Sequence, residues 1–327
     1  MGRKRRNALL DGAVYLLALG VFRLAELLPR RLFLSFGRFL GWLLWTLLRI
    51  ERRRLRVVVE NMAYLYPAAS VSGRAALARR VCRHFGHFIA ECGRAPSYQR
   101  ADCIDRFRFA GLERLERACR GGKGVIVATA HFGCFEMGAA ALAQMGYPVS
   151  SVIRTVDNPL LDDLIDGQRS RAGVNVIKKE QAAREILRRL RAGELVTTHT
   201  DLHAAFNHIF IPFLGKWAAT FTTPAVMSLR TGAPVIPFYC FYDAVTDKMR
   251  ARIYPAVTIT PTGDHDADVR QIMLAINATL EEVVREAPEQ WFWLHRRWKI
   301  EPSPEDIAAI RRQDDLIRAA REKASAS

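Results

Sequence analysis

The chain has 327 residues, half of them apolar and a quarter charged, which suits a folded globular protein and excludes wholesale disorder, collagen-like repeats and a polytopic membrane protein. Lys and Arg number 49 against 33 Asp and Glu, and the resulting +16 calls for anionic partners: nucleic acid, phosphorylated metabolites, acidic carriers or lipid headgroups. Six cysteines (82, 92, 103, 119, 134, 240) form no CxxC pair in a chain too large to need staples, so neither a zinc site nor a disulfide framework is indicated, and a reducing compartment fits best.

The positive charge is concentrated at the start, where residues 1–60 hold 13 basic and 4 acidic side chains. Met1 to Asn7 is basic, and GAVYLLALGVF at 12–22 follows without a charge before Arg23 and Glu26. That order resembles a signal peptide, but no small-x-small cleavage site follows, and a second apolar stretch, Leu32 to Leu48, is interrupted only by Arg38. Neither stretch reaches eighteen charge-free residues, so in-plane helices or one short imperfect span are expected over a membrane-associating segment 1–56. Trp42 and Trp45, with Arg49, Arg52, Arg53, Arg54 and Arg56 beyond them, read as interfacial anchors on the cytoplasmic side. Packing of these helices on a soluble core is the alternative. No helix-turn-helix or aromatic RNA-binding signature accompanies the charge, so nucleic acid is not the expected partner.

A helical region at about 55–95 leads into an alternating pattern. Strands are expected at 107–110, 125–130, 149–154, 174–177, 195–200, 208–211, 234–239 and 251–259, and helices at 112–120, 135–145, 159–172, 180–192, 223–231 and 266–286. That alternation is an α/β domain over 57–300. The segment 301–327 reads as a C-terminal surface tail, a helix that frays.

The sharpest chemical feature is GVIVATAHFGCFEMGAA at 124–140, where a buried strand ends at His131 and a helix starts a few residues later. Ligands of α/β sheets bind at such strand ends. An imidazole there can act as general base if a carboxylate accepts from its other ring nitrogen, and Glu136, five residues on, is the expected partner once Gly133 turns the chain. A second segment, HFGHFIAE at 84–91, has similar composition but lies inside a helical region and reads as packing. His199, Asp201, His203 and His208 invite a metal, yet no fourth well-placed ligand completes a site, and no metal is expected. Cys134 as an acyl-carrying nucleophile is disfavoured against a buried apolar thiol.

On these residues the chain resembles the bacterial lipid A biosynthesis acyltransferases, which transfer lauroyl or myristoyl groups and are related to the glycerolipid acyltransferases with their H-x4-D/E motif. The similar blocks are NMAYLYP at 61–67, HFGCFE at 131–136, VIRTVDNPLL at 152–161, QRSRAG at 168–173, THTD at 198–201, IPFLGKWAAT at 211–220, TGAPVIPFY at 231–239 and EQWFWLHRRWK at 289–299. The resemblance implies a mixed central sheet flanked by helices, no cofactor, and a membrane-associated enzyme at the cytoplasmic face of the inner membrane. It implies an acyl carrier protein thioester as donor and a hydroxyl of an anionic, phosphorylated lipid A precursor as acceptor. His131 is then the base and Glu136 its orienter, with Arg169 and Asp201 as supports. Arg154 is a candidate for phosphate or the developing oxyanion, and Arg296 and Arg297 for acceptor phosphates or membrane contact. The chain departs from the family pattern at Cys134 and Phe135, where Asn-Trp is frequent, and at Leu202, where Gln follows the Asp. These departures leave open another phospholipid or glycolipid acceptor, and a catalytically silent membrane- or carrier-binding homologue.

Overall fold

The computed structural model describes residues 8–326. The basic run Met1 to Asn7 lies outside them. Two apolar helices come first, α1 (Ala8–Leu27) and α2 (Arg30–Ile50), divided at Pro29, and both are long and apolar enough to cross a membrane. Their packing differs from that of lone spans. Helix α2 lies against α4 (Val71–Arg94), reached through α3 (Arg52–Leu65), at a crossing where Gly37 and Gly41 meet Gly86. A Cβ on Gly86 would sit 2.1 Å from the Gly37 carbonyl oxygen, so only glycine permits this approach. Charge fastens the same joint. Glu91, fully buried in α4, accepts from Arg30, from Arg106 Nη2 at 3.2 Å and from the Tyr98 hydroxyl at 2.6 Å, while Arg30 Nη2 also reaches Asp247 at 2.9 Å.

The outward side of the helix pair is apolar, with Leu16, Leu17, Leu24, Leu27, Leu32, Phe39, Trp42, Leu47 and Ile50 exposed. Arg49, Arg52, Arg53, Arg54 and Arg56 are exposed alongside. The two tryptophans part company: Trp42 faces outward, whereas Trp45 packs against the core built on α3 and α4.

The remaining elements are α5 (Arg100–Arg106), β1 (Phe107–Ala110), α6 (Leu112–Cys119), β2 (Val125–Thr129), α7 (Phe135–Gln144), β3 (Val149–Ile153), α8 (Pro159–Arg171), β4 (Val174–Lys178), α9 (Ala182–Arg191), β5 (Leu195–His199), β6 (His208–Phe213), β7 (Lys216–Phe221), α10 (Thr223–Thr231), β8 (Val235–Asp243), β9 (Lys248–Ile253), α11 (His265–Glu286) and α12 (Pro304–Ala326). Seven strands form one sheet in the order β1-β9-β8-β2-β5-β3-β4. All its pairs are parallel except β8 with β9, so the sheet is mixed, as expected. Strand β2 reads VIVAT and is buried along its whole length, the pattern of a central strand covered on both faces. Its residues alternate between two cores, Val125 and Val127 packing with α5, α6 and α7, and Ile126 and Ala128 with α9, α10 and α11.

Two local expectations are corrected. Helix α5 is additional to the expected elements, and the last strand occupies 248–253 rather than 251–259 because it pairs antiparallel with β8, Phe238 opposite Ile253. IPFLGKWAAT forms a hairpin, β6 and β7, whose two-residue turn holds Leu214 at φ 50° and Gly215 at φ 77°. The surface helix expected in the tail from 301 is α12, and it is docked through Ile310 and Ile317 and through an ion pair of Arg270 with Asp314 at 2.8 Å.

Candidate active site

His131 stands just beyond β2, at the carboxyl edge of the sheet. The chain turns at Gly133, where φ is 60° and any Cβ would come within 2.0 Å of the Cys240 carbonyl oxygen, so no side chain fits. Helix α7 starts directly after it. The turn is held from three sides: Gly133 N–H donates to the Gln290 carbonyl at 2.8 Å, Cys134 N–H to the Cys240 carbonyl at 2.7 Å, and His84 Nε2 lies 3.2 Å from the Gly133 carbonyl.

The carboxylate partner of His131 is Asp201, two residues beyond β5. Asp201 Oδ1 lies 2.9 Å from His131 Nδ1, and Oδ2 accepts both the His131 backbone N–H and the Trp291 indole N–H, each at 2.9 Å. A carboxylate only accepts, so Nδ1 carries the proton and Nε2 keeps its lone pair. Burial pushes the His131 pKa down, but the charge and hydrogen bond of Asp201, with a smaller contribution from Glu136, outweigh it and leave it above the ordinary 6.5. Burial raises the Asp201 pKa, and His131 more than reverses this and holds it well below the usual carboxylate range. The side chain of Asp201 is fully buried while that of His131 is 28% exposed, so the imidazole is the reachable member.

Glu136 is turned elsewhere. It sits in the first turn of α7 facing α8, and Arg169 grips both its oxygens, Nη2 to Oε1 at 2.6 Å and Nε to Oε2 at 3.1 Å. The expected His131–Glu136 hydrogen bond is therefore replaced by His131–Asp201. One turn of helix after Gly133 carries the Glu136 carboxylate toward α8, and the neighbouring strand supplies the acceptor instead.

Both pairs open on a cavity of about 770 Å³, within the roughly 300–1,000 Å³ usual for ligand sites. Its walls are mostly apolar: Phe22 of α1, Phe88 and Ile89 of α4, Phe135, Ile165, Leu202 and Met227 among them. His199 ends β5 with its ring centroid 4.5 Å from that of His131, and burial followed by the charge of His131 lowers its pKa to about 3. It is a neutral imidazole at neutral pH. Such a site can bind a long apolar chain and deprotonate a hydroxyl at one end of it.

A sequence model of the family described as bacterial lipid A biosynthesis acyltransferase matches residues 1–300. The chain belongs to that family. Among similar relatives, the lipid A biosynthesis lauroyltransferase of Escherichia coli is 27% identical over 289 residues, covering 88% of this chain and 91% of its own. A lipid A biosynthesis acyltransferase of Haemophilus influenzae is 26% identical over 293 residues, covering 89% and 87%. A phosphatidylinositol mannoside acyltransferase of Mycobacterium tuberculosis is 24% identical over 234 residues, covering 69% and 72%.

In this acyltransferase the structure brings His131, Glu136, Arg154 and Arg169 together on the cavity wall, with Asp201 directly behind His131. It separates Arg296 and Arg297 from them. Arg296 is exposed; Arg297, expected to meet substrate or membrane, is 1% exposed and donates to the Leu202 carbonyl at 3.2 Å and to Thr220 Oγ1 at 2.5 Å. Burial lowers its pKa to about 10, still cationic at neutral pH, and its work is to clamp the loop after Asp201 onto β7. Of the departures, Phe135 and Leu202 line the cavity, and Cys134 does not. The Cys134 thiol is fully buried, and burial, then neighbouring Cys240 and Cys92, hold its pKa well above the usual value. Among the described residues no group of three His, Cys, Asp or Glu side chains is arranged to hold a metal ion.

Sequence reasoning missed Trp291, which fixes Asp201, and Lys179, which lines the cavity. The block EQWFWLHRRWK signalled that its tryptophans mattered, but only the fold shows which one faces the carboxylate.

Proposed function

We propose that this acyltransferase moves a fatty acyl group from the thioester of acyl carrier protein to a hydroxyl of a phosphorylated lipid A precursor. The observation that carries the reading is His131, whose tautomer is set by Asp201 and which lines a largely apolar cavity of about 770 Å³, leaving Nε2 to act as the base. Nε2 takes the proton of the acceptor hydroxyl as that oxygen attacks the thioester carbonyl, and the imidazolium formed is stabilised by the Asp201 carboxylate at 2.9 Å. Collapse of the tetrahedral intermediate releases the carrier thiolate, which takes the proton back from His131. The Glu136–Arg169 pair fixes the facing wall, its carboxylate adding to the field that favours imidazolium. No cofactor enters these steps. The basic charge of the chain suits an acidic carrier and an anionic acceptor, and the exposed apolar side of α1 and α2 with its arginine fringe suits attachment to the cytoplasmic face of the inner membrane.

The test is mass spectrometry of lipid A and total lipid from the source bacterium with the gene deleted, then complemented by wild type or His131→Ala. Loss of one acyl chain from lipid A, restored by wild type alone, is the expected result. Loss from another lipid with lipid A intact moves the acceptor to that lipid; no change in any lipid overturns the enzymatic reading in favour of a silent homologue.

A further inference from the structure

The carboxyl edge of the sheet carries four chemistry-bearing side chains on four adjacent strands: His131 after β2, His199 ending β5, Arg154 after β3 and Lys179 after β4. The last two are neighbours by register. Ile153 pairs with Lys178 in the parallel β3–β4 ladder, so residues 154 and 179 leave the sheet side by side, and one residue on Thr155 Oγ1 donates to Glu180 Oε2 at 3.0 Å. Both cations line the cavity.

Neither is neutralised there. Arg154 meets Asp157 at 3.3 Å, but the two side chains are 78% and 94% exposed, a pairing that water screens to little effect. Lys179 has no ion pair among the described residues; its ammonium rests 4.0 Å from the centroid of the Phe221 ring. Burial, and then the charge of Arg154, hold the Lys179 pKa below the ordinary lysine value against a smaller opposing pull from Glu180. Two cations held close on a partly apolar wall repel each other, and an anion between them would relieve that repulsion.

We propose that Arg154 and Lys179 form a subsite for a phosphate ester carried by one of the two substrates, at the far end of the cavity from the reacting carbonyl. The proposal rests on the acyl-transfer reading of His131. Separation argues for a remote phosphate rather than an oxyanion role. Strands β3 and β4 lie two and three strands from β2, and at about 4.8 Å per strand this places the backbone of Arg154 about 10 Å and that of Lys179 about 14 Å from the line of His131. Both substrates of this reaction carry a phosphate ester tethered at a distance from the reacting atoms, the pantetheine phosphodiester of a carrier and the sugar phosphate of the acceptor. A guanidinium fork beside an ammonium matches such a group.

The experiment uses the full chain in detergent micelles, as wild type, Lys179→Met and Arg154→Met. Each is assayed with acyl carrier protein thioester against acyl-pantetheine lacking the phosphate, and with phosphorylated against dephosphorylated disaccharide acceptor. For one substrate, kcat/KM for the phosphorylated form relative to its phosphate-free form falls about tenfold in each variant, mainly through KM, and the substrate showing it is the one that fills the subsite. An unaltered ratio for both substrates overturns the proposal. Should wild type transfer no acyl group, the acyl-transfer reading fails by itself. The subsite is then read by equilibrium binding of phosphopantetheine and of glucosamine 1-phosphate, supported by binding that weakens in Lys179→Met and overturned by equal or absent binding.

Discussion

Two segments of this chain have nearly the same composition, HFGHFIAE at 84–91 and HFGCFE at 131–136, and the fold uses them in opposite ways. In the first, His87 and Glu91 are one helical turn apart and 3.6 Å from each other, yet Glu91 is engaged by two arginines and a tyrosine. His87 stacks on Tyr242, and burial lowers its pKa to about 4. In the second, the histidine ignores the glutamate nearby in sequence and takes a carboxylate 70 residues away, just past the end of the next strand of the sheet. The result is a histidine with a raised pKa at a cavity wall. In the proposed mechanism a histidine becomes a base through the strand end it stands on and the carboxylate that the sheet brings behind it; spacing to the next acid does not decide it.

The largest effect that would break this comparison is on turnover. Asp201→Asn removes the group that sets the tautomer of His131 and is expected to lower kcat about 10³- to 10⁴-fold, while His87→Ala stays within about threefold of wild type per folded molecule. Equal losses in the two variants would erase the distinction. Next in size is stability. Glu91→Ala leaves Arg30 and Arg106 facing each other without their buried carboxylate, and about 3–5 kcal/mol should be lost, read as an earlier midpoint in chemical denaturation. A midpoint equal to wild type would show that the cluster holds nothing together.

The smallest effect is the most specific. The base must be neutral, so wild-type activity falls as pH drops through the His131 pKa, which lies above 6.5. Removing the Asp201 charge lets burial dominate, and the acid limb in Asp201→Asn should move to lower pH. Glu136→Gln should move it in the same direction by less, since Asp201 outweighs Glu136 in raising that pKa. A larger shift in Glu136→Gln would return the orienting role to Glu136.

The α/β alternation was legible because central parallel strands such as VIVAT are short, continuous apolar runs set between helical periods. The position of His131 at a strand end followed from the same pattern. Three features were not legible, each for a physical reason. Strand β7 was hidden because its hairpin turn puts Leu214, an L-residue, at positive φ where glycine or asparagine would have announced it. The pairing of His131 with Asp201 depends on strand order, which no local period encodes. Arg297 looked like its neighbour Arg296, and only packing against β7 decides that one is buried and the other exposed.

Phe22 has a further consequence. It belongs to α1, the helix with the most open apolar side, yet its ring lines the same cavity as His131. The open apolar face and the vessel are therefore built from one helix, and a version trimmed of its first thirty residues for solubility would be a container with a side removed.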